Sequence, residues 1–123
     1  MRKLSPLGSV FVTMALALPL GVRPAAAQDP VKVSPDQFKV LFENEQVRVV
    51  EFNAKPGAKS PMHSHPDHVL YIVTGGKARF TLPDGKSQEM DSKAGDVRWN
   101  PAGTHATESL SETKAVLVEL KKK

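Results

Sequence analysis

The sequence contains no cysteine, which excludes disulfide bonds, cysteine-ligated zinc or iron–sulfur sites and a thiol nucleophile. It also lacks a segment with a sustained apolar period of 3.6 residues beyond residue 27, so long amphipathic helices are not expected. The length of 123 residues suits a single domain. The 40% hydrophobic and 24% charged residues are typical of a globular protein.

Residues 1–27 have the features of a secretory signal peptide. Two basic residues precede the apolar stretch Leu7–Leu20, and Ala25–Ala27 supplies the small residues that signal peptidase requires. The alternative is an uncleaved membrane anchor, because Leu4–Val22 is uncharged and near the minimum length for crossing a bilayer. Proline and polar residues interrupt that stretch, so we expect cleavage before Gln28 and a periplasmic or secreted protein that is free of the membrane.

The net charge gives no reason to expect a nucleic-acid partner. The formal charge of the whole chain is +4, but without residues 1–27 there are 14 basic and 13 acidic side chains, a balance of +1. The basic tail at residues 121–123 alone exceeds that balance. A domain with no excess of positive charge lacks the electrostatic footprint of a nucleic-acid-binding protein.

The remaining chain divides into a polar lead at residues 28–37, a strand-rich domain at residues 38–120 and the tail. Short β-branched and aromatic runs alternate with turn signals every 8 to 12 residues, which predicts an all-β fold, a small antiparallel barrel or sandwich. Gly75-Gly76 predicts a two-residue hairpin. The predicted strands are Phe38–Phe42, Val47–Ala54, His68–Thr74, Lys77–Leu82, Lys86–Ser92, Asp96–Asn100, His105–Leu110 and Lys114–Leu120.

The strand that starts at His68 is apolar on both faces. Leu70 and Ile72 share one face with His68, while the other face carries Tyr71 flanked by two valines. A strand with one wet face should alternate between apolar and polar residues, so this strand is expected to be covered on both sides. The outer cover is either another part of the chain or a second subunit, and in so short a chain we favour a homodimer.

All four histidines lie between residues 63 and 105, and imidazole is the commonest protein ligand for borderline transition metals. His63 and His65 are two residues apart, so in an extended segment they point to the same side. His68 begins the next predicted strand, and His105 follows a proline–glycine turn. The four histidines together predict a site for one divalent transition metal per chain (iron, manganese, zinc, copper or nickel) with open positions for a substrate.

These residues resemble two motifs of the cupins, a family of small β-barrels with a double-stranded, jelly-roll-like fold. The first motif, G-x5-H-x-H-x(3,4)-E-x6-G, is matched by Gly57, His63 and His65, and its glutamate position falls on His68 when counted back from Gly75. The second motif, G-x5-P-x-G-x2-H-x3-N, is matched by the residues Gly95, Pro101, Gly103 and His105, with Ser109 at the asparagine position.

The chain departs from these motifs at three places. His68 replaces the glutamate, the spacing from His65 to that position is one residue short, and only Thr104 separates Gly103 from His105. Val69 is an alternative occupant of the glutamate position, which would leave three histidines. Asp67 is a further candidate ligand, although neighbours in a strand face opposite ways. We favour a four-histidine set.

The resemblance implies a mononuclear metal-dependent oxygenase, a dioxygenase-like enzyme acting on a small organic substrate. A neutral ligand set leaves the full charge on the ion and favours an anionic, chelating substrate such as an enolate or catecholate. The alternatives are a non-enzymatic barrel that binds metal or a small ligand, and an empty barrel used for assembly, which the histidines argue against. No residue is assigned a catalytic role.

Five further side chains are weaker candidates for ligand contacts. The aromatic residues Trp99, Tyr71 and Phe80 are candidates to line a pocket, although strand aromatics more often belong to a core. Arg48 and Arg98 are candidates to hold an anion, although a solvated strand face is the simpler interpretation of each.

Overall fold

A computed structural model describes residues 28–122. The proposed signal peptide therefore lies outside the described residues. Among those described, no helix has the length and apolar character needed to cross a membrane.

One short helix and nine strands make up the fold. The helix α1 spans Pro30–Val33, and Asp29 caps its first turn by accepting a hydrogen bond from the Val31 N–H. The strands are β1 (Phe38–Glu43), β2 (Val47–Ala54), β3 (Lys59–His65), β4 (His68–Thr74), β5 (Gly76–Thr81), β6 (Ser87–Ser92), β7 (Val97–Asn100), β8 (Gly103–Ser109) and β9 (Thr113–Leu120).

The strands form two antiparallel sheets, which confirms the prediction of a small all-β fold. One sheet has five strands in the order β1-β2-β9-β4-β7, and the other has four in the order β3-β8-β5-β6. Alternate residues of β9 (Thr113, Ala115, Leu117 and Glu119) are buried and face the interior. Phe38, Val50 and Leu117 form the core cluster, so the apolar core lies against the five-stranded sheet.

The hairpin predicted at Gly75-Gly76 is wrong, because β4 and β5 belong to different sheets. The two glycines are needed for close approach instead. A Cβ atom on Gly75 would lie 2.5 Å from the Ser92 carbonyl oxygen. One on Gly76 would overlap the Ser111 Oγ atom and lie 2.6 Å from the Glu112 carbonyl oxygen. Here the chain crosses from one sheet to the other with no room for a side chain.

The N-terminal segment packs more closely than a polar lead suggests. Pro30, Ser34 and Gln37 are buried, and the Ser64 N–H donates to the Gln28 carbonyl oxygen at 2.8 Å. The Gln37 side chain donates to the Lys59 carbonyl oxygen at 2.8 Å. Segment 28–37 therefore lies along β3, the strand that carries two of the histidines.

Replacing Gly76 by alanine tests whether its close approach to Ser111 and Glu112 requires a glycine. We expect Gly76→Ala to lower the free energy of unfolding by about 1–3 kcal/mol, because the added methyl group overpacks a site closed by backbone. Gly103→Ala is the matched control, since the nearest atom to its Cβ would be 3.9 Å away. Urea denaturation of both variants measures the difference, and equal stabilities would contradict this explanation.

Candidate metal centre

Three histidines meet at one end of the barrel interior. His63 and His65 lie on β3 and His105 lies opposite His63 on β8. One ring nitrogen from each of these histidines lies within 4.8 Å of the others. The rings pack at centroid distances of 4.9 Å for His63–His105 and 5.2 Å for His65–His105. The sequence spacing of two on β3 thus places both side chains on the inner face, as expected of a strand.

His68 approaches from the other sheet. It is the first residue of β4, and its ring centroid is 5.0 Å from that of His65. Its Nε2 atom lies 3.3 Å from the Asn100 Nδ2 atom, which donates to it. His68 therefore borders the three-histidine cluster, and its Nε2 lone pair has an amide partner.

Asp67, the other candidate ligand, and Val69, the other candidate for the glutamate position of the motif, have different surroundings. The Asp67 Oδ1 atom accepts a hydrogen bond of 2.7 Å from the Ala102 backbone N–H, which joins the β3–β4 and β7–β8 loops. Val69 pairs with Trp99 and belongs to the outward-facing positions of β4, next to the exposed Tyr71.

Carbonyl oxygens fix the orientation of two rings. The Nδ1 atom of His63 lies 2.8 Å from the Pro61 carbonyl oxygen, and that of His68 lies 2.9 Å from the Pro66 carbonyl oxygen. A carbonyl oxygen only accepts, so each Nδ1 carries the proton and each Nε2 keeps its lone pair. This is the tautomer in which Nε2 binds a metal.

A buried carboxylate orients the third ring. The Glu119 Oε2 atom lies 3.3 Å from His65 Nδ1, and its Oε1 atom accepts from Arg48 Nε at 2.8 Å. Glu119 is 2% exposed. Burial alone would raise its pKa, but the hydrogen bonds from His65 and Arg48 hold the pKa below its ordinary value. The ionised carboxylate accepts a hydrogen bond from the His65 Nδ1–H, so this ring also directs Nε2 into the site.

Arg48 is held in turn by the N-terminal segment. Its two terminal nitrogens donate to the Asp29 carboxylate at 2.9 and 3.0 Å. The hydrogen bond from Arg48 lowers the pKa of Asp29, and the one to Asp29 raises the pKa of Arg48. Arg48 is therefore a structural ion-pair partner.

The chemistry of these nitrogens fits a transition metal. His63 is fully buried, and its Nε2 atom has no hydrogen-bond partner among residues 28–122. An unsatisfied buried acceptor is costly, which calls for a partner that accepts a lone pair. Three imidazoles whose ring nitrogens lie within 4.8 Å of one another provide the ligands that borderline metals prefer.

Burial keeps the imidazoles of His63, His68 and His105 neutral. It lowers the pKa of His63 to about 4 and that of His105 to about 3, and the other histidines lower the His105 value further. Burial also lowers the pKa of His68. Neutral imidazole is the form that binds a metal.

The four histidines line part of a cavity of about 500 Å³ between the two sheets. Among the weaker candidates, Phe80 and Arg98 line it, whereas Tyr71 and Trp99 are about half exposed on the outer face. Sequence reasoning missed Glu119, Asn100 and Asp29. The signal for Glu119 was available, because it is the only charged residue at the inward positions of β9.

Comparisons with known proteins agree with the fold. The family model described as Cupin domain matches residues 50–121. A cupin domain from Bordetella pertussis is 29% identical, with a TM-score of 0.63, covering 69% of this chain and 92% of that one. A conserved protein of unknown function from Streptococcus pyogenes is 23% identical, with a TM-score of 0.54, covering 83% of this chain and 92% of that one. No curated protein matches the sequence.

The lowered histidine pKa values predict a stability that falls with acidity. In the unfolded chain these histidines take up protons near pH 6.5. In the folded protein His63 and His105 take up protons only near pH 4 and pH 3, respectively. The unfolded state therefore binds more protons between these values, and the metal-free protein loses stability as the pH falls from 7 to 4. Thermal unfolding across this range measures the effect. His105→Asn should make the stability less dependent on pH. An unchanged slope of stability against pH in that variant would contradict the assignment of this loss to the buried histidines.

Proposed function

Because the chain belongs to the cupin family, we propose that it is an exported protein that binds one divalent metal and uses it as an oxygenase-type enzyme on a small organic substrate. The observation that carries the proposal is the convergence of His63, His65 and His105 in the wall of a cavity. His68 is the proposed fourth ligand, which would exchange the Asn100 amide for the metal on loading. The Nε2 atom of His63 has no hydrogen-bond partner among residues 28–122, so its lone pair is available to a metal.

The protein residues have separate tasks in this mechanism. The three imidazoles present neutral nitrogen donors, so the charge of the ion is not offset by its ligands. A bound divalent metal supplies Lewis acidity and, for iron or manganese, a path for electrons. Glu119 keeps the proton of His65 on Nδ1 and thereby keeps Nε2 available. The apolar walls exclude water and favour an organic substrate.

A non-enzymatic metal or ligand carrier is the second candidate. Among the described residues that line the cavity, none is a carboxylate, lysine or tyrosine that could serve as a general base beside the histidines. Chemistry in this cavity would therefore depend on the metal itself. A carrier needs only the binding cavity and the ligands.

Metal content tests the site. The full chain should be expressed with its own N-terminal segment, recovered from outside the cytoplasm and analysed by mass spectrometry for metal-to-protein ratio. We expect about one metal per chain, and at least a tenfold lower affinity for His65→Ala and His105→Ala. His68→Ala should lower the affinity less, because Nε2 of His68 already has Asn100 as a partner.

The identity of the metal separates the two candidates. Iron or manganese supports the oxygenase and justifies oxygen-uptake assays, whereas zinc or copper supports the carrier. No metal after reconstitution, or equal metal content in wild type and all three variants, would overturn the site. A mature N-terminus at Gln28 in the same sample would support export.

We also propose that two copies associate through the outer face of the five-stranded sheet. Register pairs place Phe42, Val49, Val118, Val69 and Trp99 side by side across all five strands. Of these, Phe42 and Trp99 are 54% and 55% exposed. The sequence predicted that the outer face of β4 would be covered, but no part of residues 28–122 packs over the exposed side chains there. A stripe without charge is complementary to a second copy of itself around a twofold axis.

The outer face of the four-stranded sheet is charged, unlike the apolar stripe of the five-stranded sheet. It carries Arg79, which forms 3.0 Å ion pairs with Glu89 and Glu108, and Lys77, which pairs in register with Asp91. That face is suited to solvent, so the apolar character of the five-stranded sheet is specific to one side of the molecule.

Trp99→Glu tests the dimer. We expect the wild type to have twice the mass of the chain by light scattering and the variant to have the monomer mass, because a charge would be buried in the apolar stripe. Asp91→Lys on the other sheet is the control and should remain dimeric. A monomeric wild type would contradict the proposed association.

A further inference from the structure

Arg98 lies inside the cavity. It is on β7 between Val97 and Trp99, which are 63% and 55% exposed on the outer face, so its side chain and that of Asn100 face inward. Both inward residues line the cavity. Register pairing places Asn100 opposite His68 and Arg98 opposite Leu70. Arg98 therefore lies one inward position, about 7 Å along the strand, from the histidine end.

The guanidinium of Arg98 differs from those of the other arginines within residues 28–122. Arg48 and Arg79 each form hydrogen-bonded ion pairs with two carboxylates at 2.8–3.0 Å. The Arg98 guanidinium instead donates to the Ser92 Oγ atom at 2.9 Å and the Met90 Sδ atom at 3.6 Å. It also forms an ion pair with the Asp96 carboxylate, at 3.6 Å, which is longer than a hydrogen bond. Arg98 is thus the arginine whose guanidinium donates no hydrogen bond to a carboxylate among residues 28–122.

The residues that line the cavity, among those described, include no carboxylate. Among the described lining residues, Arg98 is the only one with a permanent charge. Apolar side chains also line the cavity, with Leu70, Phe80 and Leu117 among them. A cation and, one inward position away, metal-binding nitrogens provide two separate places where a ligand can be held by polar contacts.

We propose that Arg98 binds the carboxylate of an elongated ligand whose other end chelates the metal. This inference rests on the proposed function and gives it a substrate class: an organic anion with an apolar middle, a chelating oxygen pair at one end and a carboxylate at the other. The planar guanidinium matches a carboxylate in a fork of two hydrogen bonds. The apolar walls contact the middle of the ligand.

The test compares two probes that differ only at the end facing Arg98. The full chain, loaded with zinc because zinc has no redox chemistry, is titrated by calorimetry with 3-(3,4-dihydroxyphenyl)propionate and with the corresponding propionamide. We expect the carboxylate to bind at least tenfold more tightly than the amide, because charge-assisted hydrogen bonds in a partly dry site are strong. Arg98→Gln should remove this preference by weakening the carboxylate alone.

Arg79→Gln is the matched control, since Arg79 lies on the outer face of the other sheet, and it should keep the wild-type preference. Zinc content must be equal in all proteins. Equal affinities of the two probes for the wild type would overturn the role of Arg98 and leave the metal site standing, even if Arg98→Gln failed to fold. Binding of neither probe to zinc-loaded wild type would overturn the small-molecule site itself, and the inference with it.

Discussion

The carboxylate of Glu119 is the constraint on which the interior depends. Glu119 lies on β9, the central strand of the five-stranded sheet, and faces inward next to the core. Its two oxygens are shared between Arg48 on the neighbouring strand and His65 from the opposite sheet. Removing one partner of a buried ion pair typically costs about 3–5 kcal/mol. The same carboxylate therefore joins the two sheets and sets the tautomer of a candidate metal ligand.

The interior places polar groups directly against apolar ones. The histidines border the core cluster of Phe38, Val50 and Leu117, and the ring of Phe38 lies 5.3 Å from that of His63. The domain can bury Glu119 and Arg48 because each has a partner of opposite charge at hydrogen-bond distance. A cavity that spans both environments is suited to a ligand with a polar end and an apolar body.

Much of the fold was predictable from local patterns. The alternation in β9 and the β-branched runs of β2 and β4 predicted strands that the structure confirms. β3 was read only as an extended segment, because its sequence Lys59–His65 has histidine, serine and proline where strands usually have β-branched residues. The Gly75-Gly76 hairpin was wrong because sequence shows which residues are small, but not which backbone lies against them.

The site was predictable only in part. The spacing of His63 and His65 placed both rings on one face, but the partners that orient them are distant in sequence: Glu119 is 54 residues from His65, and Asn100 is 32 residues from His68. The two candidate arginines, Arg48 and Arg98, look equivalent in sequence. Only the register of their strands separates a structural ion pair from a side chain that faces the cavity.

The position of β3 at the border of its sheet has a consequence for solubility. Edge strands expose unpaired backbone groups to which another chain can add, and β3 is such an edge. Gln28 accepts from its backbone at Ser64 and Gln37 donates to its backbone at Lys59, so segment 28–37 occupies both ends of that edge. The strand that carries two of the candidate metal ligands is thereby protected from the strand addition that leads to aggregation.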